Sequence, residues 1–343
     1  MKLAHRGTQE IVTERLRLRR FVIEDANEIF REWANDEDVT RYLTWARHKS
    51  AEQTRAWLFE VIAGYEQGDK YEWGVELKES SALVGSVGAR VANARARSAS
   101  VGYCLGERFW NQGYGTEALR AVLDYMLYDA NINRVEAQHS LNNMQSGRVM
   151  QKAGMLKEGR LRQGYITGYG EYQDCDLYAI VREDFESLYK PEKQDFFDLD
   201  GKDLAKHNVK LVCCAYVPGE PERKYVPGYR FNITEQSSGT ILGGIGLRLG
   251  FTEGLYYGGH IGYNVLAEYQ NMGIATIACR ICLQIAKAHG FKKIIITNNI
   301  ANKASARVCE KVGAKLVRVA QLPTWHDLYK RGERYSNIYE VVL

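Results

Sequence analysis

The chain has 343 residues, 45% of them hydrophobic and 26% charged, a globular composition long enough for two cores. Its net charge of +4 is too small to point to nucleic acid. No apolar run reaches the ~18 residues of a membrane helix and nothing resembles a signal peptide, so the expectation is a cytoplasmic protein with no membrane or nucleic-acid partner.

Residues 13–21 alternate, with Leu16 and Leu18 on one face and Arg15, Arg17 and Arg19 on the other. That pattern predicts a half-buried strand with a solvated arginine face. Asp25 can cap a helix through Ala34, and Ser50 a second reaching about Gln67, with Trp57, Leu58, Ile62 and Tyr65 as its apolar stripe. Strands follow at 71–78 and 82–91, joined by a turn at Glu79–Ser81. Val101–Leu105 is a strand that breaks into a loop with Gly113 and Gly115, then enters an amphipathic helix over Thr116–Ala130. Arg134–Ser140 reads as a strand and Asn143–Ala153 as a helix ended by Gly154. Leu156–Tyr165 and Tyr172–Val181 read as a closing hairpin. The charged segment Glu186–His207, with Pro191 and no periodicity, reads as a linker. The expected domains are therefore 1–186 and 207–343, with the linker at 187–206.

Val209–Tyr216 is again a strand, but the following Val217–Gly228 holds three prolines and cannot form the two helices that precede the sheet in the first half. Nine glycines from Gly239 to Gly262 suggest twisted, tightly turning strands. Cys279 and Cys282 have metal or redox spacing, but they fall inside a predicted helix with no second pair. They read as buried small residues, with no metal site.

A strand, a glycine-spaced loop and a helix N-terminus make an anion site, because the first N–H groups of a helix lack partners and the dipole favours negative charge. In the first half the candidate contacts are Trp110, Asn111, Gln112, Gly113, Tyr114, Gly115 and Thr116. The pattern recurs 160 residues on as Gln270, Asn271, Met272, Gly273, Ile274, Ala275 and Thr276. Gly102, Tyr103, Asn111, Gly113 and Thr116 have identical partners in Gly262, Tyr263, Asn271, Gly273 and Thr276, and Gly115 is answered by Ala275. A second block, Asn143-x-x-Ser146-x-Arg148-Val149-x-x-Lys152-x-Gly154, repeats at an offset of 159 as Asn302-x-x-Ser305-x-Arg307-Val308-x-x-Lys311-x-Gly313. Two blocks in one order at nearly one offset mean a tandem repeat of domain size. All five prolines lie at or beyond Pro191, so the halves are old relatives or a fusion.

At these residues the chain resembles the GCN5-related N-acetyltransferases. Gln270-Asn271-Met272-Gly273-Ile274-Ala275 fits that family's [QR]-x-x-G-x-[GA] pyrophosphate loop, and the two Asn-x-x-Ser helices look like its next motif. Thr13-Glu14-Arg15-Leu16-Arg17-Leu18-Arg19, with Trp110-x-x-Gly-Tyr-Gly-Thr-Glu-Ala, resembles the branch that acetylates ribosomal-protein N-termini, together with its small-molecule relatives. Trp110 departs from the superfamily's Gln or Arg. The resemblance implies an α/β fold of two tandem domains, each a mixed, mostly antiparallel twisted sheet flanked by helices, the second one trimmed. It also implies acetyl-CoA as cosubstrate.

Neither loop ends in the Gly-Lys-[Ser/Thr] of a nucleotide P-loop, which argues against an ATPase. By resemblance the central strand splays from its neighbour, so an N–H near Leu105 or Val265 can bond the pantetheine arm or the oxyanion; a plain core role is the alternative. Asn143 and Ser146 stand three apart and face one side of their helix, as do Asn302 and Ser305. By resemblance they face the pantetheine arm and thiol, and Ser146 would protonate the leaving thiolate; a helix cap is the other reading. Many members place a tyrosine acid seven residues after the Asn, where this chain has Met150 and Cys309.

For the base, the first half has no histidine in its motif blocks. Its carboxylates beside the hairpin tip are Glu171 and Asp174, of which Asp174 is preferred because it enters the strand on the site side; a solvated turn residue is the alternative. In the second half Tyr335 takes that position, and His260 and His326-Asp327 are the candidates. The expected activity is direct acetyl transfer to a primary amine, either a protein N-terminus or a small molecule. The other reading is a regulatory or scaffold protein that binds acetyl-CoA with one or both domains silent.

Overall fold

A computed structural model describes residues 6–67, 70–196, 199 and 204–343. The chain divides between Phe185 and Glu186 into two compact units.

The first unit opens with β1 (Ile11–Val12) and β2 (Leu16–Arg19). Leu16 and Leu18 are fully buried. On the opposite face Arg15 and Arg17 are exposed, as expected, and only Arg19 is half-buried. Arg19 reaches both Asp25, at 2.8 and 2.9 Å, and Glu76, at 2.7 Å. Arg15 turns instead to Glu117, at 2.7 Å. A helical run over 23–34 contains α1 (Ala26–Ile29), and α2 (Glu37–Thr40) follows. Asp25 lies inside the first turn of that run and accepts the Val22 N–H, so it does not sit at the cap position. Ser50 does, accepting from the Gln53 N–H at the start of α3 (Ala51–Gly64).

The sheet continues with β3 (Lys70–Leu77), β4 (Leu83–Asn93) and β5 (Ser98–Leu105). Next come α4 (Tyr114–Asp124), extended by a wider turn over 125–129, β6 (Arg134–Ser140) and α5 (Met144–Lys152). The unit ends with the hairpin β7 (Leu156–Ile166) and β8 (Tyr172–Val181), then α6 (Arg182–Ser187) crosses the boundary. Strand order is β1-β2-β3-β4-β5-β6-β8-β7, antiparallel except between β5 and β6. That one parallel pair holds only over Ser98–Ser100, so β5 is unpartnered on this edge from Val101 onward. The hairpin tip is fastened down. Gly168 donates to the Leu43 carbonyl at 2.8 Å, and Tyr169 Oη meets Thr40 Oγ1 at 3.0 Å.

The second unit repeats the topology with β9 (Ala205–Lys206), β10 (Val209–Val217), β11 (Gly228–Glu235) and β12 (Ile241–Arg248). Only a short turn at Pro221–Arg223 stands between β10 and β11, where the first unit has its helices. The glycine-rich stretch is not all strand, because Thr252 caps a short helix, α7 (Glu253–Gly258). Then follow β13 (Ile261–Val265), α8 (Ile274–Ala288), β14 (Lys293–Asn299), α9 (Lys303–Lys311), β15 (Lys315–Gln321), α10 (Asp327–Lys330) and β16 (Tyr335–Val342). Its sheet is again eight-stranded, ordered β9-β10-β11-β12-β13-β14-β16-β15, and β13 pairs with β14 in parallel only at Ile261.

The segment expected to be a linker is partly packed into this unit. Tyr189 is buried, with its ring 5.5 Å from Phe251, and the Leu188 carbonyl accepts from the Lys293 N–H. Residues 197–198 and 200–203 of that segment lie outside the described residues. Cys279 and Cys282 are fully buried in the core of the second unit, where burial pushes the Cys282 thiol up to about 12. No described helix is long and apolar enough to cross a membrane.

Candidate functional site

In each unit the glycine loop has the same backbone. A short 3-10 turn ends at Trp110 (φ −69°, ψ 157°) in the first and at Gln270 (φ −67°, ψ 158°) in the second. Asn111 and Asn271 follow in the left-handed region at φ 59° and 62°, then Gly113 and Gly273 at φ 84° and 79°. Few residues other than Gly and Asn tolerate that region, which is why these two types recur. Neither Gly113 nor Gly273 can cap its helix with a side chain, so the first N–H groups of α4 and α8 remain available to an anion.

The side chains explain where the two loops differ. Trp110 Nε1 donates to the Leu105 carbonyl at 2.8 Å, and Gln270 Nε2 donates to the Val265 carbonyl at 3.2 Å. An indole N–H and an amide N–H therefore tie the loop to the same strand end, which accounts for Trp110. Gly115 is small for packing: a Cβ there would lie 3.2 Å from Leu105 Cδ1 and 3.7 Å from Val149.

Arg15 was missed as a site residue. Its guanidinium stacks 4.5 Å above the Tyr114 ring, donates to the Gln112 carbonyl at 2.9 Å and pairs with Glu117. It sets a positive charge against the loop, with Nη2 3.3 Å from where a Gly113 Cβ would be. Nothing in the alternating pattern of 13–21 distinguishes Arg15 from Arg17. The signal lies in Glu117, one turn into α4, which also accepts from Thr13 Oγ1 and the Arg15 N–H.

From this loop a cavity of about 550 Å³ runs along the open edge of β5 to α5. Gly113, Leu105, Tyr103, Asn143 and Ser146 all line it. The two readings of the Asn-x-x-Ser block divide between its residues. Asn143 is the helix cap, its Oδ1 accepting from the Ser146 N–H at 3.2 Å. The Ser146 hydroxyl is left for Tyr103, whose Oη lies 2.8 Å from Ser146 Oγ and donates to the Ser146 carbonyl at 2.7 Å. The second unit keeps both features: Asn302 caps α9 on the Ser305 N–H at 3.0 Å, and Tyr263 Oη lies 2.9 Å from Ser305 Oγ. Burial pushes both tyrosines well above their ordinary range, so each keeps its proton. Tyr103 was legible only as a repeated residue, since its reach to α5 depends on the fold.

The candidate bases fare differently. Asp174 is exposed, and its Oδ1 accepts the Gln163 N–H at 2.9 Å, where β7 bulges and Gln163 takes φ 49°. It holds the hairpin and does not line the cavity. Glu171 is likewise exposed, against Gln173. His260 is fully buried, with Nε2 3.1 Å from the Tyr189 carbonyl and Nδ1 accepting the Ile295 N–H at 3.1 Å. Both ring nitrogens are engaged, and burial pushes it down to about 4, so it is a packing residue and not a base. His326 caps α10 on the Leu328 N–H. Cys309 is buried and pushed up to about 12, a poor proton donor.

The family model described as an acetyltransferase (GNAT) domain matches residues 15–156 and again 177–315. Among curated relatives, the uncharacterised N-acetyltransferase YoaA of Bacillus subtilis is 32% identical over 170 residues, 50% of this chain and 95% of its own. A ribosomal protein uS5-alanine N-acetyltransferase of Escherichia coli is 25% identical over 122 residues, 35% of this chain and 62% of its own. A solved GNAT-family acetyltransferase from Bacillus anthracis is 27% identical, covering 51% of this chain and 99% of its own at a TM-score of 0.46. With two matches that together span well over half its length, the chain belongs to the GNAT acetyltransferase family and is an acyltransferase with two such domains.

Proposed function

We propose that the first unit transfers an acetyl group directly from acetyl-CoA to a primary amine, either a protein N-terminus or a small-molecule amine, in the cytoplasm. The observation that carries this reading is the continuous cavity from the Gly113 loop to Ser146 along the unpartnered edge of β5. The pyrophosphate fits the N–H groups at the start of α4, with Arg15 adding positive charge. The pantetheine arm follows the β5 edge over Val101–Cys104, which lacks a partner strand, while the Leu105 carbonyl is held by Trp110. That brings the thiol to the Ser146 hydroxyl, which protonates it as the C–S bond breaks while Tyr103 orients the hydroxyl. Thiol release from acetyl-CoA, screened over peptides with free N-termini and small amines, tests the reading. Release stimulated by an amine supports it, and binding without release under any amine opposes it.

A second reading applies to the second unit alone. It keeps the loop backbone, the Asn302 cap and the Tyr263–Ser305 contact, but only a turn stands where the first unit has its helices before β3. We infer that it binds acetyl-CoA with slow or different chemistry.

A further inference from the structure

A second cavity of about 410 Å³ opens in the first unit on the other face of the sheet. Along β5, Tyr103 faces α5. Gly102, next to it, therefore points to the opposite face, since successive strand residues alternate. The register sets Glu72 of β3 opposite Gly88 of β4, and Gly88 opposite Gly102 of β5. Directly paired residues share a face, so these three lie in one row across the cavity floor. Because Gly88 has no side chain, the Glu72 carboxylate lies down over it: a Cβ on Gly88 would be 2.3 Å from Glu72 Oε2. Gly102 has open space above it, with nothing within 4 Å of where its Cβ would be. The carboxylate thus stops about one strand spacing, ~4.8 Å, short of Gly102.

Gly102 is also on the stretch of β5 that has lost its partner, and there a ligand in the first cavity can cross the strand edge to this face. Trp57 of α3 and Tyr65, just past its C-terminal end, wall the space. Among the described residues no cation or hydrogen-bond donor engages the Glu72 carboxylate.

We propose that this second cavity receives the acceptor as a primary ammonium group, and that Glu72 binds it and takes its proton. This rests on the reading of the first unit as an acetyl-CoA-dependent transferase. The ammonium pairs with Glu72 between Gly88 and Gly102 and loses a proton to the carboxylate. The nitrogen lone pair attacks the acetyl carbonyl carbon, an N–C bond forms and the C–S bond breaks. Of the two protons the nitrogen gives up, one leaves through Glu72 to solvent and the other balances the thiolate, which departs as the thiol.

The second unit supplies a contrast at the same register. Its row is Arg230, Gly246 and Gly262, so a cation replaces the carboxylate. Arg248 adds a second positive charge, 3.7 Å from where a Gly262 Cβ would be. An ammonium is repelled there.

The probe is phenethylamine, compared by calorimetry with 2-phenylethanol and 3-phenylpropanoate on the full chain in saturating CoA. The amine should bind, and the neutral and anionic analogues should bind at least about tenfold more weakly, a difference of ~1.4 kcal/mol. Glu72→Gln should weaken the amine by a similar factor and lower kcat/KM for its acetylation by about a hundredfold, with acetyl-CoA affinity unchanged.

Burial pushes Glu72 up to about 8, so kcat/KM should rise with pH to an inflection near 8 that Glu72→Gln abolishes. The other titratable groups on this face are Glu60 of α3, Tyr65 at its C-terminal end, Lys70 two residues before Glu72 on β3, Arg90 of β4 and Cys104 of β5, whose thiol feels the Glu72 charge, while Tyr71 packs on the opposite face against Tyr125. Glu72→Asp, which withdraws the carboxylate from over Gly88, should bind the amine at intermediate strength and decides the matter if Glu72→Gln does not fold. Acetyl-CoA binding with no phenethylamine binding, or amine affinity unchanged in both variants, overturns this proposal alone. Failure to bind acetyl-CoA overturns the transferase reading beneath it.

Discussion

Tyr103 Oη lies 2.8 Å from Ser146 Oγ, and the second unit repeats the contact between Tyr263 and Ser305 at 2.9 Å. The repeat ties the central strand to the Asn-x-x-Ser helix beside the unpartnered strand edge. In the first unit the tyrosine gives its proton to the Ser146 carbonyl, so the serine hydroxyl donates to Tyr103 Oη at rest and turns from it to protonate a thiolate. Ser146→Ala should therefore lower kcat about a hundredfold, at the lower end for a general acid, and Tyr103→Phe about tenfold by loosening the serine. Acetyl-CoA affinity should stay within threefold for both. Steady-state rates beside calorimetry check this, and an unchanged kcat in Ser146→Ala would remove the serine from the chemistry.

Gly113 carries two constraints at once. Its φ of 84° strains any side chain, and a Cβ would press to 3.3 Å from Arg15 Nη2. Gly113→Val should weaken acetyl-CoA binding in the first unit by at least about tenfold, ~1.4 kcal/mol. Calorimetry on a variant with native circular dichroism measures it, and equal affinity would show that the loop does not hold the pyrophosphate.

His260 predicts a pH effect on stability rather than on catalysis. Its folded value, about 4, lies below the ordinary 6.5, so the unfolded chain takes up the proton first. The stability it contributes is fully present above pH 6.5 and is lost as pH falls through 4, about 3 kcal/mol in all. His260→Gln should flatten this part of the pH dependence in denaturant titrations and leave acetylation by the first unit unchanged. Loss of acetylation in a folded His260→Gln protein would reverse the assignment.

The repeated loop was legible in sequence because its backbone demands particular residues. Asn111, Gly113, Asn271 and Gly273 all occupy left-handed φ, so the geometry is written in the residue types. The missing helices were legible too, since three prolines between β10 and β11 forbid them. What failed depends on tertiary register. Asp174 lies on the predicted hairpin, but only the bulge at Gln163 decides that its carboxylate serves that backbone. His260 leads into a site strand, yet its neighbours Tyr189 and Ile295 are far away in the chain and bury it. Glu72 had no local signal at all, because Gly88 and Gly102 give it meaning only once β3, β4 and β5 are paired.

The unequal division between the units is the central claim, and paired charge insertions test it most directly. Gly113→Asp and Gly273→Asp each put a carboxylate where the loop meets the pyrophosphate, at φ 84° and 79° respectively. Thiol release from acetyl-CoA with a working amine acceptor should collapse in Gly113→Asp and largely survive in Gly273→Asp. Collapse in Gly273→Asp with survival in Gly113→Asp would place the active site in the second unit and contradict the account.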